Sequence, residues 1–456
     1  MTTILLLLLL ILLTSQITKA FVPGQDASAS SSSSSRSALA YGNIASLVID
    51  IKERAPRDVQ TMEQWANSRG AQRADGLELV PTNQDGSDVA FMTNQDLEEN
   101  APVLFIPADM ILSSHAARQE FGYECERAEQ LLQRIREGDQ IPYFYLVVKI
   151  LKEYELGQDS PWYYYLNSLP RKFTNGASMT HFCCTQTLPP FVGKLANAER
   201  VRFSKFFQAL RQVSFLSDVT KRNRSIAKWA FLVAYTRSIE ALDSQYDPSD
   251  VKIVPLGDYF NHGTDTEIYG TYDAQGNYCA YTAYNVPAGS PLRMSYGDPT
   301  NPSFLFARYG FLDETSPATF NKYMIDNPSQ ELINLGYSPS RMLFYKDTGQ
   351  VSPETWDVLL FQFLGRMDQQ AQYDFYNACM SGDEATKQSY LQQHYPEISD
   401  MLRQHIDGFL QILDEKGRKA HDRMTGKRAS KHPRLPLILK HNEFVRDTFL
   451  RVRSQL

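Results

Sequence analysis

The sequence carries no strong excess of charge of either sign, and this absence excludes some classes of partner. The 456 residues include 46 basic and 52 acidic side chains, for a net charge of −6. A chain this close to neutral does not have the composition of a protein that binds nucleic acid or anionic lipid through its overall field. We therefore expect neither partner. The hydrophobic content of 43% is that of an ordinary globular protein, and the length of 456 residues is enough for two or three domains.

Cysteine is also scarce. There are five cysteines, and no two of them have the CxxC spacing typical of a zinc site or a redox motif. A disulfide framework of the kind found in secreted proteins is not visible either. We predict that no metal is bound and that the thiols are buried or idle, as free cysteines commonly are.

No apolar run is long enough to cross a membrane. Ile4 to Leu13 is an unbroken apolar stretch of ten residues, whereas a spanning helix needs about 20. Such a stretch fits the apolar core of a secretory signal, with Thr18-Lys19-Ala20 as the cleavage site. We predict a signal peptide at residues 1–20 and no stable membrane insertion after its removal.

Residues 21–45 are rich in serine, and such a segment cannot bury enough apolar surface to fold. We interpret it as a transit or linker segment. A signal followed by a segment that begins with Phe21, is rich in serine and is poor in acid resembles the bipartite plastid presequence of algae with complex plastids. That resemblance implies the chloroplast stroma as the location. The alternative is the secretory pathway or secretion.

Two polar motifs bracket a strand-like, aromatic-rich stretch in the second half of the chain. The first runs from Val254 to His262 and ends in Phe260-Asn261-His262. The second is Met294-Ser295-Tyr296-Gly297, followed by Asn301 and by Tyr309-Gly310-Phe311. Polar motifs at both ends of a strand pattern indicate one composite site built from loop ends.

This pair resembles the two C-terminal motifs of the SET-domain methyltransferases. It is most similar to the branch that includes the Rubisco large-subunit lysine methyltransferase and the actin histidine methyltransferase. The resemblance implies an α+β fold, in which a β-rich SET domain with a helical insert precedes an all-α C-terminal substrate-binding domain. The expected boundaries are 46–112 and 247–315 for the two parts of the SET domain, 113–246 for the insert and 316–456 for the C-terminal domain.

Local patterns give the expected elements. Asp58 to Gly70 and Ile226 to Leu242 have helical spacing, and Ser352-Pro353 begins a helix with proline at its first position. The strand patterns are Leu77–Pro81, 88–93, 103–107, 278–284 and 292–296. Eight Lys and Arg residues between positions 416 and 434 predict a solvated loop between helices, with docking of an acidic protein as the alternative.

The resemblance also implies the roles of individual residues. The cofactor would be S-adenosylmethionine (SAM), and Tyr296 would be the catalytic tyrosine that orients the acceptor nitrogen. An arginine suits the carboxylate of SAM because its planar fork can donate two parallel hydrogen bonds. The implied cofactor-binding residues are Arg237, Asn261, His262, Val89 and Phe311. Tyr309 would line the acceptor channel.

One departure from the family pattern stands against catalysis. The family has Gly-x-Gly-Leu in the turn that approaches SAM, whereas this chain has Asp88-Val89-Ala90-Phe91. A carboxylate at Asp88 could repel the carboxylate of SAM. The resemblance at the other motif positions still predicts a SAM-dependent protein-lysine methyltransferase, which would be monomeric and act on a non-histone protein. The alternatives are an inactive SET-fold module that binds a protein partner and an enzyme that methylates histidine.

Overall fold

The computed structural model describes residues 49–52, 57–83, 86, 88–240, 249–426 and 429–456. The predicted signal peptide and transit segment lie outside the described residues, so both stay predictions. None of the five cysteines forms a disulfide, and four of them are buried. No described helix has the length and apolar character needed to cross a membrane.

The strands are short and form several small sheets. Their bounds are β1 Gln72–Arg73, β2 Leu77–Pro81, β3 Val89–Thr93, β4 Pro102–Ile106, β5 Leu112–Ser113, β6 Ser238–Glu240, β7 Val251–Ile253, β8 Asn261–His262, β9 Ile268–Tyr272, β10 Tyr278–Thr282, β11 Arg293–Met294, β12 Ala318–Phe320 and β13 Leu343–Tyr345. The largest sheet has four strands in the order β1-β4-β10-β9. β5, β7 and β6 form a second sheet, and the remaining strands pair as β2-β3, β8-β11 and β12-β13.

The α-helices are concentrated in two regions, one between β5 and β6 and the other after β12. Their bounds are α1 Val59–Ser68, α2 Ser114–Arg134, α3 Ile141–Leu156, α4 Tyr163–Ser168, α5 Pro190–Leu210, α6 Asp218–Arg222, α7 Arg224–Arg237, α8 Pro302–Tyr309, α9 Gln330–Asn334, α10 Pro353–Met367, α11 Gln369–Ser381, α12 Glu384–Thr425 and α13 Leu435–Arg453.

Most of the predicted elements are confirmed, and two strands are shorter than expected. β10 ends at Thr282, and its five residues are all buried because it lies between β4 and β9 in the sheet. The strand predicted over 292–296 is reduced to Arg293–Met294. β8, the strand that pairs with it, offers only two residues for pairing. The chain therefore leaves the sheet after Met294 and can turn into the site.

α7 ends five residues earlier than predicted. Ser238 to Glu240 leave the helix and pair antiparallel with β7, so that Ser238 lies opposite Ile253. The β7 ladder therefore takes the backbone hydrogen bonds that a longer helix would have made. This early end places Arg237 at the junction of helix and strand, beside Asp258.

The C-terminal region is helical apart from the antiparallel pair β12-β13, which the all-helical expectation missed. The helix predicted to begin at Ser352-Pro353 is confirmed as α10, and its Leu359, Leu360 and Leu364 are buried. The loop predicted at 416–434 is wrong in its first part, because residues up to Thr425 continue the 42-residue helix α12.

Candidate active site

The parallel pair β8-β11 brings the two sequence motifs together. Asn261 lies opposite Arg293, and His262 lies opposite Met294. The backbone N–H of Gly263 then donates to the carbonyl of Met294 at 3.1 Å. The composite site expected from the sequence is therefore formed by strand pairing, because the end of the first motif lies beside the start of the second.

Tyr296 is held at two points. Its hydroxyl donates to the carbonyl of Phe260 at 2.7 Å, and its backbone N–H donates to Nδ1 of His262 at 3.1 Å. Burial raises the pKa of Tyr296 well above its usual value, so the phenol stays protonated at neutral pH. With its proton donated to Phe260, the oxygen keeps its lone pairs for a hydrogen bond from another group.

His262 links this tyrosine to a carboxylate outside both motifs. Because Nδ1 accepts the N–H of Tyr296, the ring proton of the neutral form is on Nε2. Nε2 lies 3.3 Å from Oδ2 of Asp313, within ion-pairing distance but without good hydrogen-bond geometry. Burial lowers the pKa of His262 despite that carboxylate. Asp313 is fixed by hydrogen bonds from Thr264 and Thr315.

Asp313 lies outside both sequence motifs and was not among the predicted site residues. It is buried and belongs to the site.

Three aromatic rings surround Tyr296. The ring centroid of Tyr309 lies 4.9 Å away, that of His262 5.6 Å and that of Phe311 6.2 Å. α8 ends at Tyr309, and Gly310 follows in the left-handed region with φ 87°. A Cβ at Gly310 would collide with the backbone nitrogen of Asn175. The turn between Tyr309 and Phe311 therefore requires glycine.

Arg237 is buried in the wall of the site. Its Nη1 donates to the carbonyl of Asp258 at 3.0 Å and lies 3.9 Å from that residue's carboxylate. Burial alone would lower the pKa of Arg237, but Asp258 and the nearby tyrosines together outweigh burial and raise that pKa. Among the described residues, Nε of Arg237 and Oδ1 of Asp258 have no hydrogen-bond partner. Each of these two atoms could therefore pair with a bound group.

A cavity of about 900 Å³ opens beside Tyr296. Of the predicted site residues, Tyr296, Tyr309 and Arg237 line it, whereas Asn261, His262, Val89 and Phe311 do not. Its wall combines tyrosines with charged side chains. The further lining residues of these kinds are Tyr269, Tyr272, Tyr278, Glu199, Arg202, Asp258, Asp298 and Arg308. A long, partly apolar side chain that ends in a polar group would suit such a lining.

The altered turn lies close to a cation that the sequence did not indicate. Asp88 accepts a hydrogen bond from the hydroxyl of Thr82 at 2.6 Å, and its charge acts on Arg57 and on Tyr296. Arg57 donates to the carbonyl of Ser168 at 2.5 Å and to the hydroxyl of Tyr259 at 2.7 Å.

Burial lowers the pKa of Arg57, and its Nη1 is buried without a hydrogen-bond partner among the described residues. The charge of Asp88 is therefore opposed by a nearby arginine that could bind an anion.

No family model and no curated protein matches the sequence. In three dimensions the chain is similar to solved SET-domain structures. One is described as the SET domain of LSMT bound to lysine and AdoHcy, with a TM-score of 0.60 and 15% identity over 87% of this chain and 90% of that chain. Another is Rubisco LSMT bound to AdoMet, with a TM-score of 0.58 and 15% identity over 87% and 91%.

At this identity the likeness shows the fold. The chain has the fold of the SET-domain methyltransferases, and the predicted fold class is confirmed.

Proposed function

We propose that the chain is a SAM-dependent protein methyltransferase that acts on lysine. The observation that carries the proposal is the position of Tyr296, whose hydroxyl is fixed to Phe260 at the wall of a tyrosine-lined cavity. The solved structures support it, since Rubisco LSMT was solved with AdoMet and with sinefungin and monomethyllysine. Their bound groups belong to those proteins, and this chain shares only their fold.

The residues present fit SAM. A cofactor with a carboxylate needs a cation with free donors, and Arg57 and Arg237 each have a buried nitrogen without a hydrogen-bond partner among the described residues. Asn261 and His262 would bind through their backbone groups, while Val89 and Phe311 would supply apolar contact. When bound, SAM supplies a methyl group carried by a sulfonium.

The chain's own residues would prepare the acceptor. A free lysine has a pKa near 10.4, so making it neutral at pH 7 costs roughly 4–5 kcal/mol. A cavity lined by Tyr269, Tyr272 and Tyr309 removes water from the ammonium and lowers its pKa. The oxygen of Tyr296 can then accept a hydrogen bond from the neutral amine and hold its lone pair in line. Such alignment can contribute about 7–11 kcal/mol in the best cases.

An inactive module that binds a protein partner is the second candidate, and Asp88 favours it. The carboxylate stands where the family has a glycine that approaches the cofactor. Its hydrogen bond from Thr82 holds it in the turn. Arg57 interacts more strongly with Tyr259 and Asp258 than with Asp88, so it opposes the charge of Asp88 only in part.

Isothermal titration of SAM into the full chain tests the two candidates. Micromolar binding supports the methyltransferase and shows that the turn tolerates Asp88. If the wild type fails to bind up to millimolar SAM and Asp88→Gly restores binding, the carboxylate blocks the cofactor and the inactive module is favoured. Failure of both proteins would leave the chain without a cofactor and would overturn the proposal.

The location in a plastid is also a proposal, supported only by the composition of residues 1–45. A fluorescent protein fused after residue 45 should enter complex plastids. Replacing Phe21 by alanine in the fusion should leave it outside the stroma. Secretion of both fusions would support the secretory alternative instead.

A further inference from the structure

Cations gather over two buried phenylalanines of α5. Cζ of Arg224 lies 4.8 Å from the ring centroid of Phe203 and 5.4 Å from that of Phe207. Nζ of Lys228 lies 5.9 Å from the ring of Phe203, and Cζ of Arg211 lies 5.2 Å from that of Phe207. Three positive charges from α7 and from the end of α5 are thus held above one pair of rings.

Two more arginines complete what we call the basic cluster, namely Arg200, Arg211, Arg224, Lys228 and Arg434. Arg434 donates through Nε and Nη2 to the carbonyl of Phe173, at 3.1 and 2.5 Å. Arg200 donates to the side-chain oxygen of Asn197 at 3.1 Å. Both acceptors are neutral, so neither balances the charge of its donor.

The cluster has no carboxylate of its own. Among the described residues, no salt bridge involves any of its five members. Burial and, after it, the charges of Arg434, Arg224 and Arg200 together lower the pKa of Lys228 to about 8. Like charges held together in this way repel one another and cost stability in the isolated chain.

Two of the cations also occupy unfavourable helix positions. Arg224 is the first residue of α7, and Arg434 is the N-cap of α13. The N-terminus of a helix carries a partial positive charge, so a cation there is unfavourable and an anion is favourable. An anion bound at the cluster would relieve both this effect and the repulsion among the side chains.

We infer that the basic cluster is a docking surface for an acidic segment of a partner protein. Arg211 and Arg224 are exposed, while Arg200, Lys228 and Arg434 are half-buried, so that fixed and reachable cations lie side by side. Each carboxylate of an acidic peptide can accept two parallel hydrogen bonds from the guanidinium group of one arginine in the cluster. The whole chain has a net charge of −6, so the surface outside the basic cluster repels anions. A short anionic segment can contact the cluster alone, which makes the cluster selective for such a segment.

Nucleic acid is a poorer fit. Phe203 and Phe207 are covered by the cations and are 2% and 8% exposed, so neither ring offers a face on which a base could stack. A long polyanion would also meet the negative field of the rest of the chain.

The same helix α5 lines the cavity beside Tyr296 through Ala198 and Glu199, on another of its faces. The inference does not depend on the proposed methyl transfer.

The test is a fluorescence-anisotropy titration of the full chain with fluorescein-labelled decaglutamate at about 0.15 M salt. The wild type should bind, and the double variant Arg224→Glu/Lys228→Glu should bind at least tenfold more weakly. The matched control is Arg127→Glu/Arg134→Glu, which makes the same charge change at two exposed positions of α2. This control should stay within twofold of the wild type.

A second readout separates docking from loss of folding. Lys228→Met removes one of the repelling cations, so its melting temperature should equal or exceed that of the wild type while its affinity for decaglutamate falls. Equal weakening in the cluster and control variants would mean that only net charge matters and would overturn the inference. So would the absence of binding at millimolar peptide, or preferential displacement of the peptide by a single-stranded oligonucleotide of equal charge.

Discussion

His262 accepts the backbone N–H of Tyr296 on Nδ1 at 3.1 Å, and this bond ties the position of the tyrosine to the tautomer of the histidine. On the other side of the ring, Nε2 faces Oδ2 of Asp313 at 3.3 Å. A protonated ring would place an N–H on Nδ1 and lose this bond. Burial keeps the pKa of His262 below its usual value, which favours the neutral form that the contact needs.

Asp313→Ala should loosen this arrangement. The change removes the carboxylate that faces Nε2 and leaves the hydroxyls of Thr264 and Thr315 without their acceptor, and such a loss costs about 1–3 kcal/mol. We expect a lower free energy of unfolding by denaturant and weaker SAM binding by calorimetry. Asp313→Asn keeps an oxygen acceptor and should recover most of both quantities. An alanine variant with unchanged stability and affinity would contradict the role given to Asp313.

Tyr296→Phe should lower methyl transfer by roughly 10²–10³-fold, the loss typical of removing one aligned hydrogen-bonding group from a buried site. SAM affinity should change little, because the ring and the backbone N–H remain. The measurement is single-turnover transfer of radiolabelled methyl to protein in an extract that contains the acceptor. Tyr323→Phe is the matched control, since its hydroxyl donates to Gln362 and its side chain does not line the cavity.

The Tyr296→Phe variant also leaves the carbonyl of Phe260 without its donor. Its melting temperature should therefore be checked beside the rate, because a loss of folding would also lower turnover. Equal rates in the folded variant and the wild type would remove Tyr296 from the chemistry.

The two arginines at the site should both contribute to SAM affinity. Arg57→Ala and Arg237→Ala each remove a buried cation with an unpartnered nitrogen, so each should weaken SAM binding by at least tenfold in calorimetry. Arg171→Ala serves as the control, since Arg171 also donates to backbone carbonyls near Asn167 but has no role in the proposed site. If all three variants lost affinity equally, the effect would be one of stability.

The sequence predicted the part of the site that local motifs encode. Tyr296, His262 and Phe311 were identified from short motifs, and the structure brings their rings within 6.2 Å of one another. Arg57 was missed because its partner Tyr259 lies 202 residues away, and no local pattern reports such a contact. Asp313 was missed because it lies outside both motifs, and its contacts with His262 and Thr264 join parts of the chain that are distant in sequence.

The errors in the elements have a similar origin. Helical spacing continues past Arg237, yet the chain leaves the helix because β7 offers a better partner for Ser238. In the C-terminal region, charge density predicted a loop after Lys416. A solvated face of a long helix has the same composition, and periodicity could not separate the two.

The buried Lys322 should make stability depend on pH. Its Nζ donates to the hydroxyls of Ser303 and Thr319, each at 3.0 Å, and no carboxylate among the described residues pairs with it. Burial lowers its pKa to about 7, whereas the unfolded chain has the ordinary value near 10.4. Between these two values the unfolded state binds more protons than the folded state. Stability therefore rises with pH across that window and is lost as pH falls toward 7.

Lys322→Met should remove this dependence. We expect the variant to exceed the wild type in free energy of unfolding at pH 7, by up to about 4 kcal/mol before the two lost hydrogen bonds are counted. The difference should shrink steadily as pH is raised toward 10, because the wild-type lysine then becomes neutral in both states. Urea denaturation at intervals of one pH unit gives the measurement. Lys194→Met, at an exposed position of α5, should show no such trend. A constant difference at every pH would mean that Lys322 keeps its ordinary pKa in the folded chain.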